Sequence, residues 1–94
     1  MAAECQIRCE IKQGMFSDEV TVVIHAMDSR GKVTSVSSIV PKKSITVNRK
    51  DPGHGSLRAY CIQKKDRMTS VVLPQATMEN GPSLIVPTEE IIQS

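Results

Sequence analysis

The chain has 94 residues, 39% hydrophobic and 23% charged, with a net charge of +2. That is material for one hydrophobic core rather than two, without the bias of a disordered chain, and so small a charge gives no overall field toward nucleic acid or an anionic membrane. The opening MAAECQIRCEIK lacks the basic-then-apolar pattern of a signal peptide, and no apolar run approaches the ~18 residues of a membrane span, so a cytoplasmic protein without membrane contact is expected. Three cysteines, an odd number, agree with a reducing compartment and predict free thiols. Phe16 and Tyr60 are the only aromatics, which predicts a core of branched aliphatic side chains on strands.

In chain order, Glu4 to Lys12 (ECQIRCEIK) alternates polar and apolar residues and reads as a strand with Cys5, Ile7, Cys9 and Ile11 on its buried face. Cys5 and Cys9 are then about 13 Å apart, too far to bond to each other or to share a zinc ion. GMFSD supplies a turn, and Glu19 to Met27 (EVTVVIHAM) returns with Val20, Val22, Ile24 and Ala26 on one face and His25 on the other. DSRG, Asp28 to Gly31, is a hairpin connection with Gly31 placed for a positive φ, and Lys32 to Val40 forms the third strand. Pro41 ends it, PKKS permits a short helical turn, and Ile45 and Val47 resume the alternation.

Asn48 to Gly55 (NRKDPGHG) is the densest cluster of turn formers and reads as a connector. Ser56 to Lys64 (SLRAYCIQK) is a strand, KKDR a turn, and Met68 to Leu73 the returning strand, stopped by Pro74. ENG at Glu79 to Gly81 reads as a turn, widened by Pro82, before the last strand, Ser83 to Val86.

The second part repeats the first. IVP-x-x-x-I occurs at Ile39 to Ile45 and at Ile85 to Ile91, each time closing a strand-turn-strand-turn-strand unit, which predicts an internal duplication with halves at about 5–47 and 56–92 joined by 48–55. In this alignment RAYCIQK lies over IRCEIKQ, with Arg58 where the first half has Ile7. Two three-stranded meanders with one apolar face each must bury those faces together. The expected fold is all-β: a six-stranded pseudo-duplicated barrel, SH3-like or similar, or a two-sheet sandwich, with short helical turns after Pro41 and Pro87. Any SH3 likeness is confined to the fold, since the aromatics of a peptide groove are missing.

The candidate chemistry is sparse. A bond between Cys9 and Cys61, on corresponding strands, is geometrically conceivable, and His25, His54 and Cys61 could meet in space, yet none has the close spacing of a zinc module. The loop around Arg49 and Lys50 could cradle an anion, but Ser56 onward is a strand and not the helix that phosphate loops feed. No catalytic signature is present and no cofactor is implied. The basic residues Lys42, Lys43, Arg49, Lys50, Lys64, Lys65 and Arg67 lie mainly in turns and would form a binding patch if those turns converged.

The expected function is therefore a non-catalytic interaction or accessory module that binds a protein partner or itself through a sheet edge or a loop end. A nucleic-acid-binding barrel using the basic turns is the first alternative, although two aromatics supply few stacking platforms. A loop-borne enzyme or metal site at His54, Ser56 and Cys61 is the second.

Overall fold

The computed structural model describes residues 3–13, 17–28, 30–75 and 81–92. Its strands are β1 (Ala3–Gln13), β2 (Glu19–Met27), β3 (Val33–Pro41), β4 (Ile45–Asn48), β5 (Asp51–Lys65), β6 (Met68–Val72), β7 (Ser83–Pro87) and β8 (Ile91–Ile92). Two single 3-10 turns, Lys42–Ser44 and Thr88–Glu90, follow the prolines at 41 and 87, as expected. The main path of the sheet runs β3-β2-β1-β5-β6-β7, with β4 paired to β5 and β8 to β1, every pairing antiparallel. Six strands thus wrap into a nearly closed, barrel-like, all-β architecture.

Alternation decides which side chains are enclosed. Cys5, Ile7 and Cys9 of β1 and Val20, Val22, Ile24 and Ala26 of β2 are all buried. They meet Val36 and Val40 of β3, Leu57 and Ala59 of β5, Val71 of β6 and Leu84 and Val86 of β7 in one aliphatic cluster. Each large side chain in it contributes about 1.5–3 kcal/mol relative to exposure. Buried polar groups are partnered: Thr69 and Thr88 share a hydroxyl hydrogen bond of 2.8 Å, and no enclosed side-chain N or O among the described residues lacks a partner.

The two halves make corresponding pairings. Ile7 lies opposite Leu57 where β1 and β5 pair, Ile45 pairs with Leu57, and Ile91 pairs with Ile7. The tail of each half therefore docks on the first strand of the other. Each 3-10 turn is anchored alike: the Lys42 N–H donates to the Asp18 carbonyl and the Thr88 N–H to the Arg67 carbonyl. The register corrects the alignment read from sequence by one residue. Ile7 corresponds to Leu57 and not to Arg58, both being fully enclosed, so that Arg8 corresponds to Arg58. The β-bulge between Cys61 and Gln63 adds a residue to the second half, which is why a gapless sequence comparison slips there.

Residues 48–55 are not a connector. The turn is confined to Arg49 and Lys50, with the Asn48 side-chain oxygen accepting from the Lys50 N–H at 2.9 Å, and β5 begins at Asp51. Extended β5 accepts β1 along one side, and β4 and then β6 along the other. Strand pairing on both sides satisfies backbone groups that turn-rich composition would leave to water. Gly55 is needed for this: a Cβ there would stand 2.2 Å from the Thr46 carbonyl oxygen and 3.0 Å from the Ile11 side chain. Glycine lets β4 approach.

Of the expected DSRG hairpin, Ser29 lies outside the described residues and the others connect β2 to β3. Gly31 has φ +81°, and the Asp28 carboxylate accepts from the N–H groups of Arg30 and Lys32. Within the GMFSD turn, Gly14 to Phe16 lie outside the described residues, as do Glu79 and Asn80 of the expected ENG turn. Expected free thiols are corrected at two positions: Cys5 and Cys61 form a disulfide, with Cα atoms 6.1 Å apart, and Cys9 remains free and buried. Cys61 lies opposite Ala3 and Cys5 opposite Ala59, so the bond crosses diagonally between neighbouring strands.

Candidate functional site

Cys9 has no chemistry to offer as a nucleophile. Burial pushes its thiol from the ordinary 9.0 up to about 11, which leaves almost no thiolate at neutral pH. Ser56 is buried and its hydroxyl bonds to the Gln6 side-chain carbonyl. Cys61 is held in the disulfide and cannot ligate a metal. The site imagined from His54, Ser56 and Cys61 is therefore not assembled.

Both histidines stand on the solvent side of the sheet. His54 Nδ1 lies 2.7 Å from an Asp51 carboxylate oxygen, and His25 Nε2 lies 4.0 Å from Glu10, whose strand partner is His54. Arg58 and Glu4 approach to 3.6 Å on the same face. All of these side chains are substantially exposed, so the contacts contribute little. Among the described residues no three His, Cys, Asp or Glu side chains are placed to hold a metal ion. A shallow cleft of about 350 Å³ beside the histidines is lined by Arg8, Cys9, Glu10, His25, His54 and Glu90; it mixes both charge signs and singles out no ligand.

The basic residues do not form one end-patch. Arg49 and Lys50 precede β5, whereas Lys64 and Lys65 end it and Arg67 follows in the next turn. A strand of 15 residues separates the two clusters. Lys42 and Lys43 occupy a third place, the 3-10 turn after β3. Convergence of the turns was what an anion-binding patch required.

The edges of the sheet are the exposed, chemically competent elements. Among the described residues β3 forms a strand pair with β2 alone and β7 with β6 alone, while Ser37 and Ser38 of β3 are themselves partnered. Among the described residues β3 and β7 form no strand pair, while β7 lies close to β2. At one end Met27 and Val33 face Pro87 and Glu89 across a cleft of about 580 Å³ that Lys64 and Arg67 also line. β3 is nine residues long and carries no charge, whereas edge strands are commonly protected by lysine, internal proline, bulges or shortness. Its outward residues include Val33 at 56% and Ile39 at 38% exposure. Beside β7, Ile62, Met68 and Ile85 are also exposed.

Sequence reading gave a sheet edge or a loop end as the binding element and named no strand as an edge. Strand order, which decides this, leaves no local trace; the uncharged run VTSVSSIVP between Lys32 and Lys42 was the available signal. Compared with protein-family models, with curated proteins and with solved structures, the chain finds no match in any of the three. Among the described residues no helix is long and apolar enough to cross a membrane.

Proposed function

We propose that this chain is a non-catalytic interaction module that binds an extended protein segment along the outer edge of β3. The observation that supports it is the place and composition of β3: nine uncharged residues in β geometry at one end of the sheet's main path. Main-chain hydrogen bonds of an added strand supply the affinity in such binding, and alternate side chains the selectivity. Val33 and Ile39 provide the apolar contacts on the solvent face. The Cys5–Cys61 disulfide favours an oxidising compartment, in place of the cytoplasm expected from the opening segment, the lack of a membrane-length apolar run and the cysteine count.

Hydrogen exchange tests the proposal. The β3 amides that point away from β2 should exchange in the isolated chain far faster than those of β2 itself. Equal protection along both strands would remove the edge as a binding element. A titration with DNA and RNA at low salt belongs beside it: tight binding with a steep salt slope would put the basic turns in place of the edge.

A further inference from the structure

We infer that a hollow over β1, β4 and β5 binds a small monocarboxylate with a short apolar tail, the carboxylate seated on the Arg8 guanidinium. This site is independent of the edge-binding reading above. The internal duplication points to it. Because Arg8 corresponds to Arg58, the same shift along the pairing of β1 with β5 sets His54 in the place of Glu4: Glu4 lies opposite Tyr60, and His54 opposite Glu10. In one half of the fold the arginine has a carboxylate beside it, Glu4 approaching Arg58 to 3.6 Å. In the other half an imidazole stands where that acid would be, and Arg8 makes no ion pair among the described residues. The duplicated fold thus presents equivalent arginines and supplies a carboxylate to only one of them.

There is space where the carboxylate is missing. A hollow of about 280 Å³ is bordered by Arg8, Thr46, Asn48 and His54 together with the apolar Val47 and Ile92, and no acid among the described residues lines it. The guanidinium fork of arginine matches the two oxygens of a carboxylate. The Asn48 side-chain oxygen already accepts from the Lys50 N–H at 2.9 Å, which leaves its amide N–H groups as further donors. Val47 and Ile92 are 46% and 38% exposed, so an apolar tail laid against them removes hydrophobic surface from water. A space of this size admits only a small molecule.

The neighbouring acids set the charge of that molecule. Arg8 and His54 also border the cleft that contains Glu10, His25 and Glu90, and Asp51 lies 2.7 Å from His54. Glu10 is 4.0 Å from His25, and none of the three acids pairs with Arg8. They leave the guanidinium available but repel a second negative charge, which favours a singly charged carboxylate over a phosphate dianion.

The experiment is an NMR titration of the full, isotope-labelled chain with butyrate, n-butylamine and inorganic phosphate in turn, at neutral pH and about 0.15 M salt. Butyrate should give saturable shifts centred on Arg8, Thr46 and Val47 with a Kd on the order of 1 mM, and should bind about tenfold or more tighter than either other probe. Arg8→Gln should weaken butyrate binding by about tenfold or more. His54→Glu should do the same, because it supplies Arg8 with the carboxylate that Glu4 gives Arg58. Arg58→Gln should leave butyrate binding unchanged. All three substituted side chains are exposed, and the spectrum of each variant reports its folding; if His54→Glu fails to fold, Arg8→Gln decides alone. Absence of saturable shifts at the hollow, undiminished binding in Arg8→Gln, or tighter binding of phosphate than of butyrate overturns the inference. So does an equal loss in Arg58→Gln, which would put the carboxylate in the other half of the fold.

Discussion

Gly55→Ala should be among the most damaging single-methyl additions in this molecule. The new Cβ would stand 2.2 Å from the Thr46 carbonyl oxygen, and an unstrained carbon-oxygen contact is about 3.3 Å, so β4 must retreat by about 1 Å. The obstacle is backbone, and the Ile11 methyl at 3.0 Å closes the other side. Retreat breaks the pairing of Ile45, Thr46 and Val47 with Leu57, Ser56 and Gly55. Losing two of these hydrogen bonds costs about 1–3 kcal/mol, and loosening Ile45 from the core adds about 1 kcal/mol. The expected destabilisation is thus about 2–4 kcal/mol, read as a lower urea midpoint with fast exchange at the β4 amides. Gly53→Ala is the control: its Cβ would meet nothing closer than the Asp51 side chain at 3.5 Å, and it should shift stability by about 0.5 kcal/mol or less. Equal behaviour of the two variants would refute the claim that β4 approaches β5 through the missing side chain.

Reducing the Cys5–Cys61 bond, which spans a sequence separation of 56, should lower stability by up to about 4 kcal/mol on loop-closure grounds, seen as a drop in urea midpoint on adding a dithiol reductant. An unchanged midpoint would show that the strand pairing alone fixes β1 on β5. Cys9 should resist iodoacetamide at pH 8 in the folded chain and react once unfolded. Because its folded pKa is raised from 9.0 to about 11, the unfolded chain loses this proton first; stability is unaffected by it below pH 9 and falls by roughly 3 kcal/mol as pH climbs from 9 through about 11. A flat alkaline limb in a Cys9→Ala-corrected comparison would contradict its burial. Leu57→Ala, at a fully enclosed position opposite Ile7, should cost about 2–5 kcal/mol in chemical unfolding; a cost below about 1 kcal/mol would mean that the junction of the two halves is not core.

Period-2 patterning carried most of the fold. The buried stripes of β1 and β2, the hairpin glycine at Gly31 and the prolines that end β3 and β7 all act within a few residues of where they stand, so the local sequence determines them. The same locality explains the misreading of NRKDPGHG. Its turn formers satisfy a loop composition, but their backbone groups are taken up by β4, the strand beside them in the chain, and by β1, which arrives from elsewhere. The disulfide partner was hidden for a related reason: which cysteine faces Cys61 depends on the register of β1 on β5, and strands far apart in the chain leave no local trace of it. Edges are more remote still. That β3 and β7 stand at the two ends of the sheet's main path follows from strand order, a property of the whole chain. The sequence by itself determined strands, turns and an aliphatic core, because side-chain alternation is a local consequence of burying one face. Only the tertiary structure decided strand order, register and the exposed edges, because these depend on contacts between residues far apart in the chain.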